Sequence, residues 1–252
     1  MGFFKKLNIF ENKGYCPTCT SRVTFVATKE WFRDFYICSN CGSIPRERAI
    51  MVAIETYFPE WKNLVIHESS PVNRGASARL ARECKNYVST QFFPGEHLGS
   101  TVEGIRCENL EALTFPDESI DIHITQDVME HIFKPSKAFS EIARSLKPGG
   151  AHIFTVPLVN KMQSSEPRAA INEEGRITFI KPEQYHGNPV SQEGSLVTVD
   201  WGFDICDYIF KACGLFTHIL YFDDISRGIR AEYIEVLITF KPLSQDHLKK
   251  IP

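Results

Sequence analysis

Two cysteine pairs near the start of the chain are the first residues whose types and spacing could do chemistry. "CPTC" sets Cys16 beside Cys19, and "CSNC" sets Cys38 beside Cys41, with 18 residues between the pairs. This is the C-x2-C-x15–20-C-x2-C spacing of a four-thiolate zinc site. Each tight turn aims two sulfurs at one point, and four thiolates complete a tetrahedron. Four protein ligands leave no position for water or substrate, so such a site is structural. A cysteine set that holds no metal and a redox pair are the competing readings. Cys84, Cys107, Cys206 and Cys213 are scattered singly and read as packing residues.

The elements that must position these thiolates are short. "RVTFVAT" (residues 22–28) and "WFRDFYI" (residues 31–37) read as two strands between the pairs, so residues 1–44 resemble a zinc ribbon. Arg22, Lys29, Arg33, Arg46 and Arg48 form only a modest basic set, and the net charge is −3. Charge therefore argues against nucleic acid and for a lid or docking module. After Pro45 the apolar residues Ile50, Met51, Ile54, Tyr57 and Phe58 take helical spacing, and Pro59 ends the run. Residues 45–62 are expected to link the ribbon to a main domain over 63–252.

The 252 residues, 43% hydrophobic, suffice for one full domain and a small appendage. No apolar stretch approaches the roughly 18 residues that span a bilayer. "MGFFKKLNIF" lacks the apolar core of a signal peptide, and Lys6 stands where a myristoylation signal wants Ser or Thr. The expectation is a soluble cytoplasmic protein with no membrane insertion. Cytosolic thiols also favour metal over disulfides.

From residue 63 strands alternate with helices. "NLVIHES", "NYVSTQ", "IDIHITQDV" and "AHIFTVP" read as strands, and "GASARLARECK" and "SKAFSEIARSLK" as helices. "WGFDICDYIFKACG" reads as a helix ending at Gly214, and "THILYFD" and "EYIEVLITFKP" as an antiparallel closing pair. The tail "LSQDHLKKIP" is expected to fray. Such alternation predicts an α/β fold, a parallel sheet covered by helices on both faces. Ligands in such folds sit beyond the carboxyl ends of the strands, at the switch point beside the first one.

Residues 113–157, "LTFPDESIDIHITQDVMEHIFKPSKAFSEIARSLKPGGAHIFTVP", closely resemble the middle of a class I S-adenosylmethionine-dependent methyltransferase of the type 11 kind. The resemblance lies in the acidic turn at Pro116-Asp117-Glu118, the strand from Ile120, the pair Glu130-His131, and Leu146 to Gly150 closing a helix. It implies a Rossmann-like sheet and S-adenosylmethionine as cofactor. Lys147 would sit at the helix C-terminus, where a cation complements the dipole.

The resemblance also implies where the cofactor lies. "VIHESSP" stands for the usual acidic, glycine-containing loop, so His67, Glu68, Ser69 and Ser70 are expected to meet its amino-acid end. Gln91, or Glu96 folding back, would hold the ribose, and Asn109 with the Leu110 amide would hold the adenine. A turn that merely caps its own backbone is the plain alternative for Asn109. Asp127 follows the strand that faces the cofactor.

Methyl transfer from a sulfonium is an in-line displacement that chiefly needs alignment and exclusion of water. A base is required only for a hydroxyl or a protonated amine. Asp127, Glu130, His131 and His186 are the candidates, with Tyr185, Asn188, Asp200 and Trp201 as possible lining for a polar acceptor. His123 alternates inside a strand and reads as a satisfied core residue. The implied activity is methylation of a small-molecule or glycan-type acceptor. Its rivals are an RNA or protein methyltransferase recruited through the ribbon, and a catalytically dead binding module.

Overall fold

A computed structural model describes residues 8–187 and 194–244. The N-terminal unit is a three-stranded antiparallel sheet of β1 (Phe10–Cys16), β2 (Ser21–Ala27) and β3 (Tyr36–Cys38), in that order. A one-turn helix, α1 (Phe32–Phe35), precedes β3. The expected strand over 31–37 is thus mostly helical turn, and only its end pairs with β2. The unread strand β1 alternates buried and exposed positions, but its polar Glu11, Asn12 and Lys13 conceal the pattern. Phe25 and Tyr36 fill this unit's core, flanked by Phe10 and Phe32.

Next comes α2 (Pro45–Tyr57), with Pro45 in its first turn. Glu47 reaches back to accept a hydrogen bond from the Ile44 amide at 3.0 Å, satisfying a donor that a helix start leaves open. Pro59 follows the last turn, which closes at Phe58. Ala49 to Ile54 are buried against Ile66, Leu80, Ile122 and Ile153 of the main sheet and its helix. The expected linker is therefore a structural layer of the main domain.

That domain runs through β4 (Val65–Ser69), α3 (Gly75–Glu83), β5 (Asn86–Gln91), β6 (Thr101–Val102), β7 (Ile105–Cys107) and β8 (Ile120–Gln126). It continues with α4 (Pro135–Ser145) and β9 (Leu146–Thr155). Short pairs β10 (Glu166–Pro167) to β15 (Val199–Asp200) follow: β10 pairs with β15, β11 (Ala169–Ile171) with β12 (Ile177–Phe179), and β13 (Tyr185–His186) with β14 (Ser195–Leu196). The last elements are α5 (Ile205–Cys213), β16 (Thr217–Leu220) and β17 (Val236–Phe240).

The main sheet has eight strands in the order β16-β17-β9-β8-β4-β5-β7-β6. Strands β9, β8, β4, β5, β7 and β16 run in one direction, while β6 and β17 run against it. One apolar core lies under α2 and α3, and another under α4 and α5. This is the expected α/β architecture with helices on both faces, including the antiparallel closing pair. The chain leaves β4 for β5 on one side and returns to β8 on the other, so the order reverses beside β4.

The Leu-Lys-Pro-Gly-Gly block is placed differently from the expectation. α4 ends at Ser145, and Leu146 to Gly150 already belong to β9. Lys147 therefore does not cap the helix; its ammonium pairs with Asp121 at 2.8 Å. Gly150 is needed because a Cβ there would overlap the Asp121 carbonyl oxygen. Among the described residues no helix is long and apolar enough to cross a membrane. The tail beyond Ser244, including most of the segment expected to fray, lies outside the described residues.

Candidate active site

The loops after β4, β5 and β8 open into one cleft of about 1210 Å3. Ser70 and Val72 line it after β4, Gln91 to Pro94 after β5, and Gln126 to Phe133, bar Met129, after β8. The N-terminal unit closes one side with Trp31, Arg33 and Asp34, joined by Arg46 from the first turn of α2.

Asp127 ties these two parts together. It takes a left-handed backbone angle, φ 53°. Its carboxylate accepts from the Arg33 guanidinium at 2.7 Å, pairs with Arg46 at 3.0 Å, and accepts from the Thr155 hydroxyl at 3.0 Å. Burial alone would raise its pKa, but the two guanidinium charges win and hold it below the usual carboxylate range. Of the four proton-acceptor candidates, Asp127 is thus already committed to a charge network.

The other three converge. Glu130 and His131 lie on a helical turn, Met129–His131, just past β8, and His186 comes across from β13. The Glu130 Oε1 atom is 3.7 Å from His131 Nε2 and 3.6 Å from His186 Nδ1. The imidazole rings meet edge to face, with centroids 5.3 Å apart. Thr198 braces the turn: its amide donates to the Glu130 carbonyl at 2.7 Å, and its hydroxyl donates to the Ile132 carbonyl at 2.8 Å. His131 Nδ1 donates to the Leu196 carbonyl at 2.8 Å, which leaves Nε2 as the ring nitrogen facing Glu130.

Residues 76–154 match the family described as "Methyltransferase domain". The likeness to methyltransferase domains thus covers a central stretch of the chain. A stretch of 53 residues is 38% identical to a protein of Mycolicibacterium smegmatis described as a probable S-adenosylmethionine-dependent methyltransferase. That match spans 21% of this chain and 21% of that relative. A solved S-adenosylmethionine-dependent methyltransferase from Mesorhizobium loti is 19% identical, covering 76% of this chain and 96% of its own, with a TM-score of 0.48. The 1,6-didemethyltoxoflavin-N1-methyltransferase of Burkholderia thailandensis is 11% identical over 78% of each chain, with a TM-score of 0.45.

Around this stretch the residues expected to hold the cofactor part company. Ser70, at φ 54°, and Gln91 line the cleft, while the exposed Glu96 does not. His67 turns into the sheet, fully buried, with Nδ1 on His123 Nδ1 at 2.7 Å and Nε2 on the Thr90 hydroxyl at 2.8 Å. Glu68 is buried on the opposite face, accepting from Ser77, Tyr87 and Gln126. Burial raises its pKa despite those three donors. Ser69 and Leu110 are buried and absent from the cleft lining. Asn109 accepts from the Glu111 amide at 2.9 Å, a turn capping its own backbone.

The loop itself does without the usual early glycine. Gly75, at φ +55°, opens α3, and a Cβ there would overlap the Glu47 carboxylate. An anion at that helix start suits the dipole. Glu47 is further paired with Arg74 at 2.9 Å.

Of the acceptor-side residues, Tyr185 and Asp200 line the cleft. Asp200 is paired with Arg168 and Lys181, at 2.8 and 2.9 Å. Trp201 is a core residue, its indole N–H donating to the Met129 carbonyl at 3.4 Å. Asn188 lies outside the described residues. Reasoning from the sequence missed Phe92, Trp31, Arg33 and Arg46 as cleft residues. Only the aromatic pair after "STQ" gave a local signal.

The four ribbon cysteines also converge. Cys16 Sγ lies 3.8 Å from Cys41 Sγ, and Cys19 Sγ lies 3.9 Å from Cys38 Sγ, with all four within 4.8 Å of one another. Thiolates about 2.3 Å from a tetrahedral zinc ion would stand about 3.8 Å apart. The donor set and its spacing fit zinc.

Proposed function

We propose that the chain is an S-adenosylmethionine-dependent methyltransferase acting on a small-molecule or glycan-type acceptor bound in this cleft. The observation that carries the reading is one cleft at the strand carboxyl ends, larger than the roughly 300–1,000 Å3 of a single-ligand pocket. It has room for a cofactor and an acceptor together. When bound, the cofactor supplies an electrophilic methyl group. Ser70 and Gln91 are polar groups of the cleft lining that would hold it, Gln91 by the ribose hydroxyls and Phe92 by the base. Asp127, fixed by Arg33 and Arg46, holds the loop after β8 in register.

The acceptor belongs on the β8 side, beside Glu130, His131, His186, Tyr185 and Asp200. An acceptor hydroxyl placed there would lie beside the imidazoles of His131 and His186. The ribbon, with zinc on its four cysteines, closes the cleft with Trp31 and Arg33 beside Arg46 of α2, which favours a small acceptor over a recruited macromolecule. Residues 1–44 act as this lid, and α2 belongs with the main domain.

Calorimetric titration of zinc-loaded protein with S-adenosylhomocysteine tests the reading. Micromolar binding that Gln91→Ala weakens about tenfold is the expected result, the loss of an amide hydrogen-bonded to a ligand being worth about 1–2 kcal/mol. Folded, zinc-loaded protein that binds neither this ligand nor S-adenosylmethionine would leave a binding module instead.

A further inference from the structure

We propose that Glu130, His131 and His186 form a second metal site, taking a divalent transition-metal ion in the cleft with an open position for an oxygen of the acceptor. The second half of this statement rests on the methyl-transfer reading above; the first does not.

Glu130 carries the argument. Its side chain is 2% exposed, and neither carboxylate oxygen has a hydrogen-bond partner among the described residues. Buried polar atoms are seldom left so, and a buried carboxylate least of all. Two imidazole nitrogens lie 3.6 and 3.7 Å from its Oε1 atom. These separations are too long for hydrogen bonds. They suit ligands of one ion, because donors about 2.1 Å from a tetrahedral centre stand about 3.4 Å apart. A shift of a few tenths of an ångström at the half-buried His186 closes the set.

The surroundings are those of metal ligands. A ligating histidine donates its other ring N–H to a carbonyl or carboxylate, which fixes the tautomer. His131 does this through Nδ1 to the Leu196 carbonyl. The Gln184 amide nitrogen stands 3.4 Å from His186 Nε2, the ring nitrogen facing away from Glu130, so the amide must turn over for its oxygen to accept from that N–H. Thr198 and Trp201 hold the Met129–His131 turn rigid through its carbonyls. Two imidazoles and one carboxylate select zinc, cobalt, nickel or iron over magnesium or calcium. Three protein ligands leave at least one position open, unlike the closed thiolate set of the ribbon. That position faces the cleft, where an acceptor with two adjacent oxygens could chelate the ion.

The test titrates Co2+ into tag-free, zinc-loaded protein whose metal content is known. The expected result is one Co2+ per chain beyond the ribbon zinc, with visible d–d bands and no near-ultraviolet thiolate band. Acetohydroxamate, a bidentate oxygen probe, should then shift those bands. His186→Ala, at a partly exposed position, and Glu130→Gln should each weaken Co2+ at least tenfold. Saturation at one metal per chain, or wild-type affinity in the folded His186→Ala variant, overturns the site. Bands that acetohydroxamate leaves unmoved overturn the open position. S-adenosylhomocysteine binding measured on the same samples separates the two readings: binding without a second Co2+ leaves the methyltransferase standing, and a second Co2+ without binding leaves the metal site standing.

Discussion

At the scale of single residues, a ladder of histidines crosses the centre of the sheet. His67, His123 and His152 are register partners on β4, β8 and β9, and all are buried. His67 and His123 share a proton between their Nδ1 atoms, and His123 Nε2 and His152 Nε2 reach the Ser145 and Thr125 hydroxyls. Burial pushes the pKa of His67 and His152 down to about 3, and His123 well below its ordinary 6.5. Unfolding therefore takes up protons below pH 6.5, so stability is complete above that value and falls as pH drops through it. Glu68, with its pKa raised by burial, opposes this above pH 4.5, but as one group against three. Each histidine can add a slope of about 1.4 kcal/mol per pH unit. Urea unfolding at pH 7.5 and pH 5 should show a markedly lower midpoint in acid; equal midpoints would mean the imidazoles are not held neutral. Asp127, with its pKa depressed, loses its contribution only as pH falls below 3.8. Asp127→Asn strands two largely buried guanidinium groups and should cost about 3 kcal/mol in the same assay.

At the scale of elements, the ribbon is fastened to the cleft it closes. Arg33 on α1 donates to the Tyr233 carbonyl at 3.0 Å as well as to Asp127. Arg79 on α3 donates to the Pro17 carbonyl beside the first cysteine pair. If zinc holds the ribbon, its removal frees Arg33 from the cleft wall. A strong chelator, or Cys38→Ser, should then weaken S-adenosylhomocysteine at least tenfold by calorimetry; unchanged affinity would mean the ribbon plays no part in closure. The cysteine pairs and the strand–helix alternation were legible because their signals are local, a fixed spacing and a period. The Glu130-His131 pair was legible through the motif around it. The Arg33 latch was not, since it joins residues 94 apart whose neighbours give no hint of meeting. His67 misled for a related reason: a strand's alternation decides which face a side chain takes, and a motif position does not.

At the scale of the whole molecule, α2 makes the ribbon and the main sheet one structure. Its apolar side, Ala49 to Ile54, fills the core beside Ile66 and Ile122. Its Arg48, fully buried, donates to the carbonyls of Tyr36 and Ser43 on the ribbon side and of Gly228 beyond α5. Asn12 of β1 donates to the Ile225 carbonyl at 2.8 Å, a second weld to the same distant loop. Elements joined by buried hydrogen bonds of this kind lose their structure together, whereas a lid on a flexible linker would open first. Urea unfolding of the zinc-loaded protein should therefore release zinc to a chromogenic chelator at the same denaturant concentration at which far-ultraviolet circular dichroism collapses. Ile50→Ala opens a cavity at the centre of α2, costing about 3 kcal/mol, and should lower both midpoints by the same amount although the nearest thiolate is in another unit. Zinc release well before the dichroism change would divide the chain into two independent domains, and α2 would then serve the main sheet alone.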